Sequence, residues 1–518
     1  MNMTRQKIGR PVLQSQDDKS RRLQQTWRGP RPLSLLSPDG WRRCAGLGAL
    51  AVLLQLSASC TVGPNYVRPP APVPQAYKEM KEWKVAEPKD RLVRGKWWEL
   101  FNDPQLTALE EQVDISNQNI AQAEAQFRQA RALVRVARSA YFPTATIGPS
   151  FQRAFQSSPE LPSIPLSLYS FPVDVSWQPD LFGSVRRNVE SSRASVQATA
   201  ADLESVRLTM CAEVAEDYFQ LCALDSQKQL LDKTVKDYSE TLELTRNRYA
   251  SGIASRGDVL QAETQLKTTQ AQAIDVGVQR AQLEHAIAVL VGKPASDFSI
   301  SFLPLTAEPP PIPVGLPSEL LERRPDVAAA ERQMAAANAQ IGVAIAAYYP
   351  TLTLSASLGY ETLNLAQLFT WPTRFWSLGP AALSETLFEG GLRKAQTDKA
   401  RASYDAAVAS YRHTVLTGFQ QVEDNLSSLH ILEQEAAAQA DAVKASQDSL
   451  AVIVNQYKAG IVAYLNVIAA QTTELSNERV ALTIYGERMT AAVLLIEALG
   501  GGWDASALPS DKSLTSRQ

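Results

Sequence analysis

Histidine and cysteine are the side chains that most often carry catalysis or metal binding, and this chain contains few of them. Its three histidines are His285, His413 and His430, and all fall within segments that predict helix. No nucleophile, metal-ligand spacing or phosphate-binding loop accompanies them. The sequence therefore predicts no catalytic residue, no metal site and no cofactor, and an enzyme is the weakest functional class for this chain.

The four cysteines are too few for a disulfide framework and are not in metal-ligand spacing. Cys211 and Cys222 fall in one predicted helix, where their separation of about 16 Å exceeds the reach of a disulfide. We interpret both as packed thiols. Cys44 and Cys60 lie near the N-terminus, and Cys60 is the cysteine with a predicted chemical role.

A segment typical of protein export precedes Cys60. Two arginines stand before an apolar run from Cys44 to Leu56, and small residues follow it. The run is shorter than the roughly 20 residues that a membrane-spanning helix needs, so a membrane helix is the weaker interpretation. A buried helix of a cytosolic domain is a minor alternative. A small-residue stretch ending in cysteine resembles a bacterial lipoprotein signal, with Ser57 where such signals usually place Leu. The sequence predicts removal of residues 1–59 and lipid attachment at Cys60.

Charge is distributed unevenly along the chain. The formal net charge is −3, and residues 1–59 carry ten Lys/Arg against three Asp/Glu. Their removal leaves a net charge of about −10 (−3 − 7), which disfavours a polyanionic partner. We therefore expect no nucleic-acid partner.

The chain repeats itself internally. Ala140-Tyr141-Phe142-Pro143-Thr144 is echoed by Ala347-Tyr348-Tyr349-Pro350-Thr351, an offset of 207 residues. Three further pairs keep offsets of 206 to 208 in the same order: Leu181-Phe182 with Leu387-Phe388, Glu216-Asp217 with Glu423-Asp424, and Tyr249-x-x-Gly252-Ile253 with Tyr457-x-x-Gly460-Ile461. This ordered series predicts two copies of one structural unit.

Two nearly uninterrupted stretches predict very long helices. Ser184 to Ser251 contains no Gly or Pro, and Leu392 to Ala459 contains only Gly418. Both are rich in Ala, Gln, Glu, Leu and Val, so each predicts a continuous helix of about 100 Å. Four shorter helices are also predicted, at Pro104 to Phe142, Asp258 to Val291, Pro317 to Tyr348 and Asn466 to Leu499. Two of these stacked end to end match the length of one long helix.

Each copy also predicts a β-hairpin, at about residues 144–181 and 351–388. Thr351 to Tyr360 alternates with a period of two, with its apolar residues on one face. A returning strand is predicted from Ser377 to Phe388. Each hairpin has room for two strands of about ten residues, the length that a membrane barrel requires.

The hairpins predict a structure at a membrane. Trp177, Trp371 and Trp376 stand near strand ends, where they suit an interfacial girdle or, alternatively, a packed loop. Four strands from one chain cannot close a barrel with a lumen, and open edges in lipid leave backbone groups unpaired. The barrel must therefore be shared between chains.

Five motifs carry a family resemblance: Cys60-Thr61-Val62-Gly63-Pro64-Asn65-Tyr66, Trp97-Trp98-Glu99-Leu100-Phe101, Asp180-Leu181-Phe182-Gly183, Leu320-Leu321-Glu322-Arg323-Arg324-Pro325-Asp326-Val327 and Leu387-Phe388-Glu389-Gly390-Gly391. They resemble the outer-membrane efflux proteins, the TolC-type factors, in their lipoprotein branch, over about residues 60 to 503. The motif set is specific, so the resemblance predicts the function as well as the fold.

The resemblance implies a mainly α protein with a β-barrel section. Three chains would form an all-α periplasmic tunnel continuous with a shared transmembrane barrel of about twelve strands, four from each protomer. The implied function is a passive outer-membrane exit duct for small toxic compounds or drugs. Implied partners are two further copies, outer-membrane lipid, a periplasmic adaptor protein and an inner-membrane efflux pump.

The predicted domain boundaries follow the duplication. Residues 60–100 form a lipid-anchored linker after the export segment. Residues 101–293 are the first copy, 294–316 a linker, 317–502 the second copy and 503–518 a tail.

In this family the tunnel closes at the periplasmic helix tips, which match Tyr249 to Asp258 and Tyr457 to Ala469 here. The gate candidates are Tyr249, Gly252, Asp258, Tyr457, Gly460 and Asn466. Related channels carry acidic rings at the positions that match Asn466 and Ala469. This chain has no carboxylate at either position. Cation selectivity by those rings is therefore not expected. Gly252 and Gly460 are equally compatible with plain turns, and Asp258 and Asn466 with helix N-caps.

Two alternatives remain open from the sequence. A periplasmic coiled-coil scaffold would use the helices but not the hairpins, and solubility without detergent would favour it. Export of proteins or peptides would use the same duct, since the pump selects the cargo.

Overall fold

The computed structural model describes residues 61–79, 95–155, 165–305, 308–312, 317–510 and 513. All of them belong to the compact unit Ser59–Gln518. The predictions for the export segment and for Cys60 lie outside the described residues. The described chain is mainly helical, with one antiparallel sheet whose strands differ in length.

Two long helices dominate the described chain, as predicted. The helices are α1 (Pro104–Ser116), α2 (Gln118–Ser139), α3 (Ser184–Ala250), α4 (Arg256–Leu290), α5 (Pro317–Arg323), α6 (Pro325–Ala346), α7 (Leu392–Lys458) and α8 (Tyr464–Ala498). Helices α3 and α7 each contain 67 residues, about 100 Å. None of the described helices combines the length and apolar composition needed to cross a bilayer.

The prediction of one continuous helix from Pro104 to Phe142 was wrong. Asn117 leaves the helical conformation between α1 and α2, with φ −66° and ψ 126°. Its Oδ1 accepts from the Asn119 and Ile120 amides, and its Nδ2 donates to the Leu290 carbonyl at 2.8 Å. The side chain therefore caps α2 and contacts the end of α4, which a local pattern does not reveal.

The helix predicted from Pro317 to Tyr348 is also divided, at Arg324. The proline at position 325 disfavours helical geometry at the residue before it, so α5 ends at Arg323 and α6 begins at Pro325. Arg324 donates to the Ala498 carbonyl at 2.9 Å and lies against Gly418, where a Cβ would be 3.2 Å from its Nε. Gly418, the one breaker residue in α7, thus makes room for the Arg324 guanidinium.

The strands of the sheet come in two groups, one before each long helix. Its strands are β1 (Thr144–Ile147), β2 (Ser150–Phe155), β3 (Pro165–Trp177), β4 (Thr351–Thr362) and β5 (Arg374–Ser384). The order is β1/β2, β3, β4, β5, and every pairing is antiparallel. β1 and β2 pair with β3 in one continuous register, so they form one strand interrupted at Gly148 and Pro149. The last strand runs from Arg374 to Ser384, so the predicted bounds of Ser377 and Phe388 were wrong at both ends.

The two faces of the sheet differ sharply in polarity. Cross-strand partners share a face, and one face of β3 to β5 is apolar. It carries Val173, Val175, Trp177, Leu352, Leu354, Ala356, Leu358, Trp376, Leu378, Ala381 and Leu383. The opposite face carries Asp174, Ser176, Thr351, Thr353, Ser355, Ser357, Ser377 and Ser384, together with Pro172, Gly359, Phe375 and Ala382. Arg374, opposite Tyr360, is the charged residue at the end of the apolar face. Leu378 and Trp376 are 84% and 81% exposed, so the protomer itself leaves this apolar face uncovered.

The main core lies where helices from both halves of the chain meet. Its largest fully buried side chains include Tyr218, Phe219, Tyr411, Met334 and Met489. Cys211 and Cys222 are buried and unpaired there, which confirms the prediction of packed thiols.

Residues 61–79, called the N-terminal segment below, lie along the outside of the helices. The segment starts beside the sheet, where the Val62 amide donates to the Phe182 carbonyl at 3.2 Å. It ends on α7, where the Lys78 and Glu79 amides donate to the Glu423 carboxylate. Most of its side chains are exposed, while Tyr77 is buried.

Candidate functional site

The predicted gate residues lie in and beside two tight turns that join long to short helices. One turn connects α3 to α4 and the other connects α7 to α8. In the first, the Gly252 amide donates to the Tyr249 carbonyl and the Ile253 amide to the Arg248 carbonyl. The second repeats this pair of bonds with Gly460 and Ile461. Both helices therefore end in the same Schellman geometry.

Gly252 and Gly460 have φ values of +76° and +75°. A Cβ at either position would meet nothing within 4 Å, so backbone conformation and not space favours glycine there. Ile253 and Ile461, which follow the glycines, are 66% and 72% exposed. Each turn therefore ends in an apolar side chain that the protomer does not cover.

The two short helices begin differently. Ser255 is the N-cap of α4, and its hydroxyl accepts from the Asp258 amide at 3.1 Å. The Asp258 carboxylate in turn accepts from the Ser255 amide at 2.9 Å. Asp258 is thus the third residue of the helix, and its side chain completes a capping box with Ser255, so the alternative that Asp258 is the N-cap was wrong. The signal was present in the sequence as a serine three residues before the aspartate.

Helix α8 has no side-chain cap. It begins at Tyr464, so its N-cap is Ala463, which has no side-chain acceptor. Asn466 is the third helical residue and its amide donates to the Ala463 carbonyl at 3.1 Å. The alternative that Asn466 is an N-cap was therefore wrong. Asn466 and Ala469 are both exposed on the first turns of α8.

A small apolar cluster joins all four helices next to the turns. We call it the tip cluster, and its buried members are Tyr238 and Leu242 of α3, Ala262 and Leu266 of α4, Tyr457 of α7, and Tyr464 and Val467 of α8. The Tyr457 and Tyr464 rings lie 5.4 Å apart. Burial raises the pKa of the Tyr464 hydroxyl, and the neighbouring Tyr457 and Tyr238 raise it further. The hydroxyl is therefore neutral at physiological pH.

Arg248 connects the two long helices at the tip, and the sequence prediction missed it. Its guanidinium carbon lies 4.6 Å from the centre of the Tyr457 ring, and its Nη1 donates to the Lys458 carbonyl at 3.2 Å. Lys458 is the last residue of α7, so the cation also faces the negative end of that helix. A basic residue in the last helical turn, one position before the predicted Tyr249, was the available signal.

The structure therefore brings together only part of the predicted gate set. Tyr457 is 5% exposed and belongs to the tip cluster. Tyr249, the residue directly after Arg248, is 48% exposed and is not a member of the cluster. Gly252, Gly460 and Asn466 are exposed at the turns, and Asp258 is half-buried.

The three tryptophans lie at different places on the sheet. Trp177 ends β3, and its indole nitrogen donates to the Tyr141 carbonyl at 3.0 Å, at the end of the sheet next to the helices. Trp371 lies in the connection between β4 and β5 at the opposite end, with the Arg374 guanidinium over its ring. Trp376 is within β5, opposite Leu358, and is highly exposed.

Sequence comparison with known families matches residues 109–293 and again residues 316–501 to the outer membrane efflux proteins. This chain belongs to the outer membrane efflux protein family. The predicted family, the efflux function and the outer-membrane location are thereby confirmed, and the protein is a channel component and not an enzyme.

Individual relatives of this chain are also named as outer membrane proteins of efflux or export. It is 31% identical over 461 residues to the probable efflux pump outer membrane protein TtgC of Pseudomonas putida, which covers 88% of this chain and 95% of that protein. It is 29% identical over 463 residues to the pyoverdine export outer membrane protein OpmQ of Pseudomonas aeruginosa, covering 87% and 97%. The structure of the outer-membrane channel OprN aligns with a TM-score of 0.79 at 30% identity, over 86% of this chain and all of that chain.

Proposed function

We propose that three copies of this protein form a passive duct from the periplasm to the cell exterior. The observation that carries the proposal is the two-faced sheet, since an apolar face suits lipid and a Ser/Thr-rich face suits a water-filled lumen. Both outer strands of the protomer's sheet, β1/β2 and β5, have an edge that pairs with no described strand. Pairing β5 of one copy with β1/β2 of the next would satisfy these edges and give a closed barrel of about twelve strands.

The tunnel would be built from two copies of one unit in each chain. In support, the family matches the chain twice, and each matched region contains a long helix that ends in the same turn. The predicted boundaries at 101–293 and 317–502 remain part of this proposal. Three chains would then supply six such units around one axis.

The gate is proposed at the two turns and the tip cluster. Tyr249, Gly252, Asp258, Tyr457, Gly460 and Asn466 form the predicted set, to which we add Arg248 because it contacts α7 directly. Neutral packing around Tyr457 and Tyr464 would hold the resting state, in place of an acidic ring.

Asn466→Asp tests this neutral gate. A ring of three new carboxylates at the exposed start of α8 should create divalent-cation block of the conductance in planar bilayers. Asn188→Asp adds the same charge at an exposed position near the start of α3, beside the sheet, and should not create block. An Asn466→Asp channel that responds like the wild type would remove position 466 from the gate.

Cys60 is the proposed lipid anchor. The first described residue, Thr61, packs against Gly183 just after the sheet, where a Cβ on that glycine would lie 2.9 Å from the Thr61 Cγ2. A lipid on the preceding residue would therefore enter the membrane beside the barrel. Trp177 and Trp371, at opposite ends of the sheet, would mark the two membrane interfaces, with Trp376 slightly deeper.

The proposed partners are a periplasmic adaptor, an inner-membrane efflux pump and outer-membrane lipid. Relatives named for toluene, antibiotic and pyoverdine export support small organic molecules as cargo. Purification tests the duct directly: the mature protein should require detergent, run as a trimer in native mass spectrometry and conduct ions in planar bilayers. A monomeric rod that is soluble without detergent would instead support the scaffold function.

A further inference from the structure

The N-terminal segment contacts three helices from both halves of the chain in sequence order. Its start lies against α3 of the first half, its middle against α6 and α7, and its end farther along α7. Tyr411 and Glu423, its two polar contacts on α7, are about 18 Å apart along the helix. The segment therefore runs across three helices of which α6 also packs directly on both α3 and α7, and it adds to that packing a link from α3 to α7.

The start of the segment is held by Arg187 of α3. This arginine is 4% exposed and donates to the Val62 carbonyl at 3.2 Å, the Gly63 carbonyl at 3.2 Å and the Asn65 Oδ1 at 2.9 Å. Its Nη1 also pairs with Glu190 at 2.8 Å. The guanidinium reaches these four acceptors with five N–H donors spread over three nitrogens, whereas a lysine ammonium has three donors on one nitrogen.

Close backbone packing fixes the same point. A Cβ at Gly63 would lie 2.5 Å from the Gly342 Cα, and a Cβ at Gly342 would lie 2.8 Å from the Arg187 Cγ. The two glycines therefore allow the segment, α6 and Arg187 to meet with no space between them. The Pro64 carbonyl adds a bond to α6, from the Asn338 Nδ2 at 3.2 Å.

The middle of the segment passes from α6 to α7. The Tyr66 hydroxyl donates to Glu331 of α6 at 2.6 Å. Two residues later, Arg68 donates to the Tyr411 hydroxyl of α7 at 3.0 Å. Two residues of the segment, separated by Val67, thus contact two neighbouring helices.

The end of the segment is held by Glu423. Its two carboxylate oxygens accept from the Lys78 and Glu79 amides at 2.7 and 3.1 Å. The adjacent Tyr77 is 4% exposed and its ring lies 6.4 Å from that of Phe419. A buried aromatic ring and two charge-assisted hydrogen bonds hold this end.

The sequence between these attachments is stiff. Prolines occupy positions 64, 69, 70, 72 and 74, which limit the backbone to extended conformations and leave few amides to satisfy. A stiff chain attached at both ends transmits displacement, whereas a flexible one would absorb it.

We propose that the N-terminal segment is a restraint that fixes α7 to α3 and α6, so that α7 cannot move away from the first half while Arg187 and Glu423 hold. Its effect on channel opening rests on the proposed duct function. Its attachment to α7 does not.

Hydrogen exchange tests the attachment in the purified, detergent-solubilised full-length protein. In the wild type the Lys78 and Glu79 amides should be protected, and Glu423→Ala should accelerate their exchange about tenfold or more. Asp424→Ala is the matched control, because this neighbouring exposed carboxylate contacts Gln420 and not the segment. Wild-type exchange in Glu423→Ala would overturn the proposal.

Channel opening tests the restraint itself. Glu423→Ala and the milder Arg187→Lys should raise the open fraction in planar bilayers several-fold, with Asp424→Ala unchanged. Faster exchange at positions 78 and 79 without any change in opening would show that the segment is attached but restrains nothing. Absence of any wild-type conductance would count against the duct and leave the exchange result valid.

Discussion

At the scale of single residues, Arg248 shows how one side chain can connect two long helices. Its contacts with the Tyr457 ring and the Lys458 carbonyl lie at the end of α7, where a cation is favoured by the helix dipole. The Asp258 carboxylate, by contrast, accepts from the Ser255 amide and completes the capping box of its own helix, and its place in the gate stays a prediction. Arg248 therefore contacts the second long helix, whereas Asp258 bonds within its own helix terminus.

We expect Arg248→Gln to raise the open probability of the channel about fivefold, because loss of an interaction of about 1 kcal/mol weakens the closed tip. Single-channel recording measures it. Arg248→Lys should give an intermediate value, since an ammonium keeps the charge but not the planar contact. Arg246→Ala is the control: this neighbour is exposed and pairs with Glu263 only at 3.8 Å. Equal opening in the Arg248 and Arg246 variants would contradict the assignment.

Glu110 is a buried carboxyl group that the proposed duct does not use. It is 0% exposed, and neither oxygen accepts a hydrogen bond from an N–H or O–H group within the described residues. Burial raises its pKa well above the ordinary value, opposed by the Cys211 thiol and assisted by Asp114. The folded protein therefore keeps this proton at a pH where the unfolded chain has released it, so Glu110 destabilises the fold increasingly as pH rises.

Glu110→Gln should consequently raise the thermal unfolding temperature at pH 8, and the gain should shrink towards pH 4, below which both states of the wild type are protonated. A gain in unfolding free energy of about 1 to 3 kcal/mol is expected at the higher pH. Thermal unfolding in detergent across this pH range measures it. Glu111→Gln, which alters an exposed pair with Lys96, should change little at any pH. A gain that does not depend on pH would exclude the titration of Glu110 as its cause.

At the scale of elements, glycines show how the helices end. Gly460 needs a positive φ in the turn after α7, whereas Gly277 lies within α4 with open space around its Cα. Gly460→Ala should therefore destabilise the protein by about 1 kcal/mol, and Gly277→Ala should stabilise it by about 0.5 to 1 kcal/mol. Denaturant unfolding of the two variants measures both. The same sign for both substitutions would show that φ at position 460 is not the constraint.

The long elements could be predicted from the sequence because local signals agree along them. The absence of Gly and Pro from α3, and of both but Gly418 from α7, defined these helices to within a residue, and alternation defined β4. The break at Asn117 was missed because its capping side chain is held by a distant partner, the Leu290 carbonyl. The break at Arg324 was missed although Pro325 signals it locally. Arg248 was missed for the same reason as Asn117, since its contacts lie about 210 positions away in the chain.

At the scale of the whole molecule, the sheet is the part that a single chain leaves incomplete. Its apolar face and its two free edges have no partner within the described protomer, whereas the helical core is well buried. Lipid on one side, water on the other and neighbouring copies at the edges would complete it. Consecutive residues on β5 therefore face opposite surroundings and can be compared directly.

Leu378→Arg and Ser377→Arg make that comparison with the same new side chain. Leu378 is on the apolar face opposite Ala356, and Ser377 is on the polar face opposite Ser357. An arginine facing lipid near the middle of the membrane should cost about 2 to 4 kcal/mol, so Leu378→Arg should lower the amount of trimer in the outer membrane. Ser377→Arg should assemble normally and reduce cation conductance, because its charge would line the lumen. Trimer yield from isolated outer membranes, with bilayer recordings of what assembles, distinguishes the two. Normal assembly of Leu378→Arg with impaired assembly of Ser377→Arg would reverse the assignment of the faces.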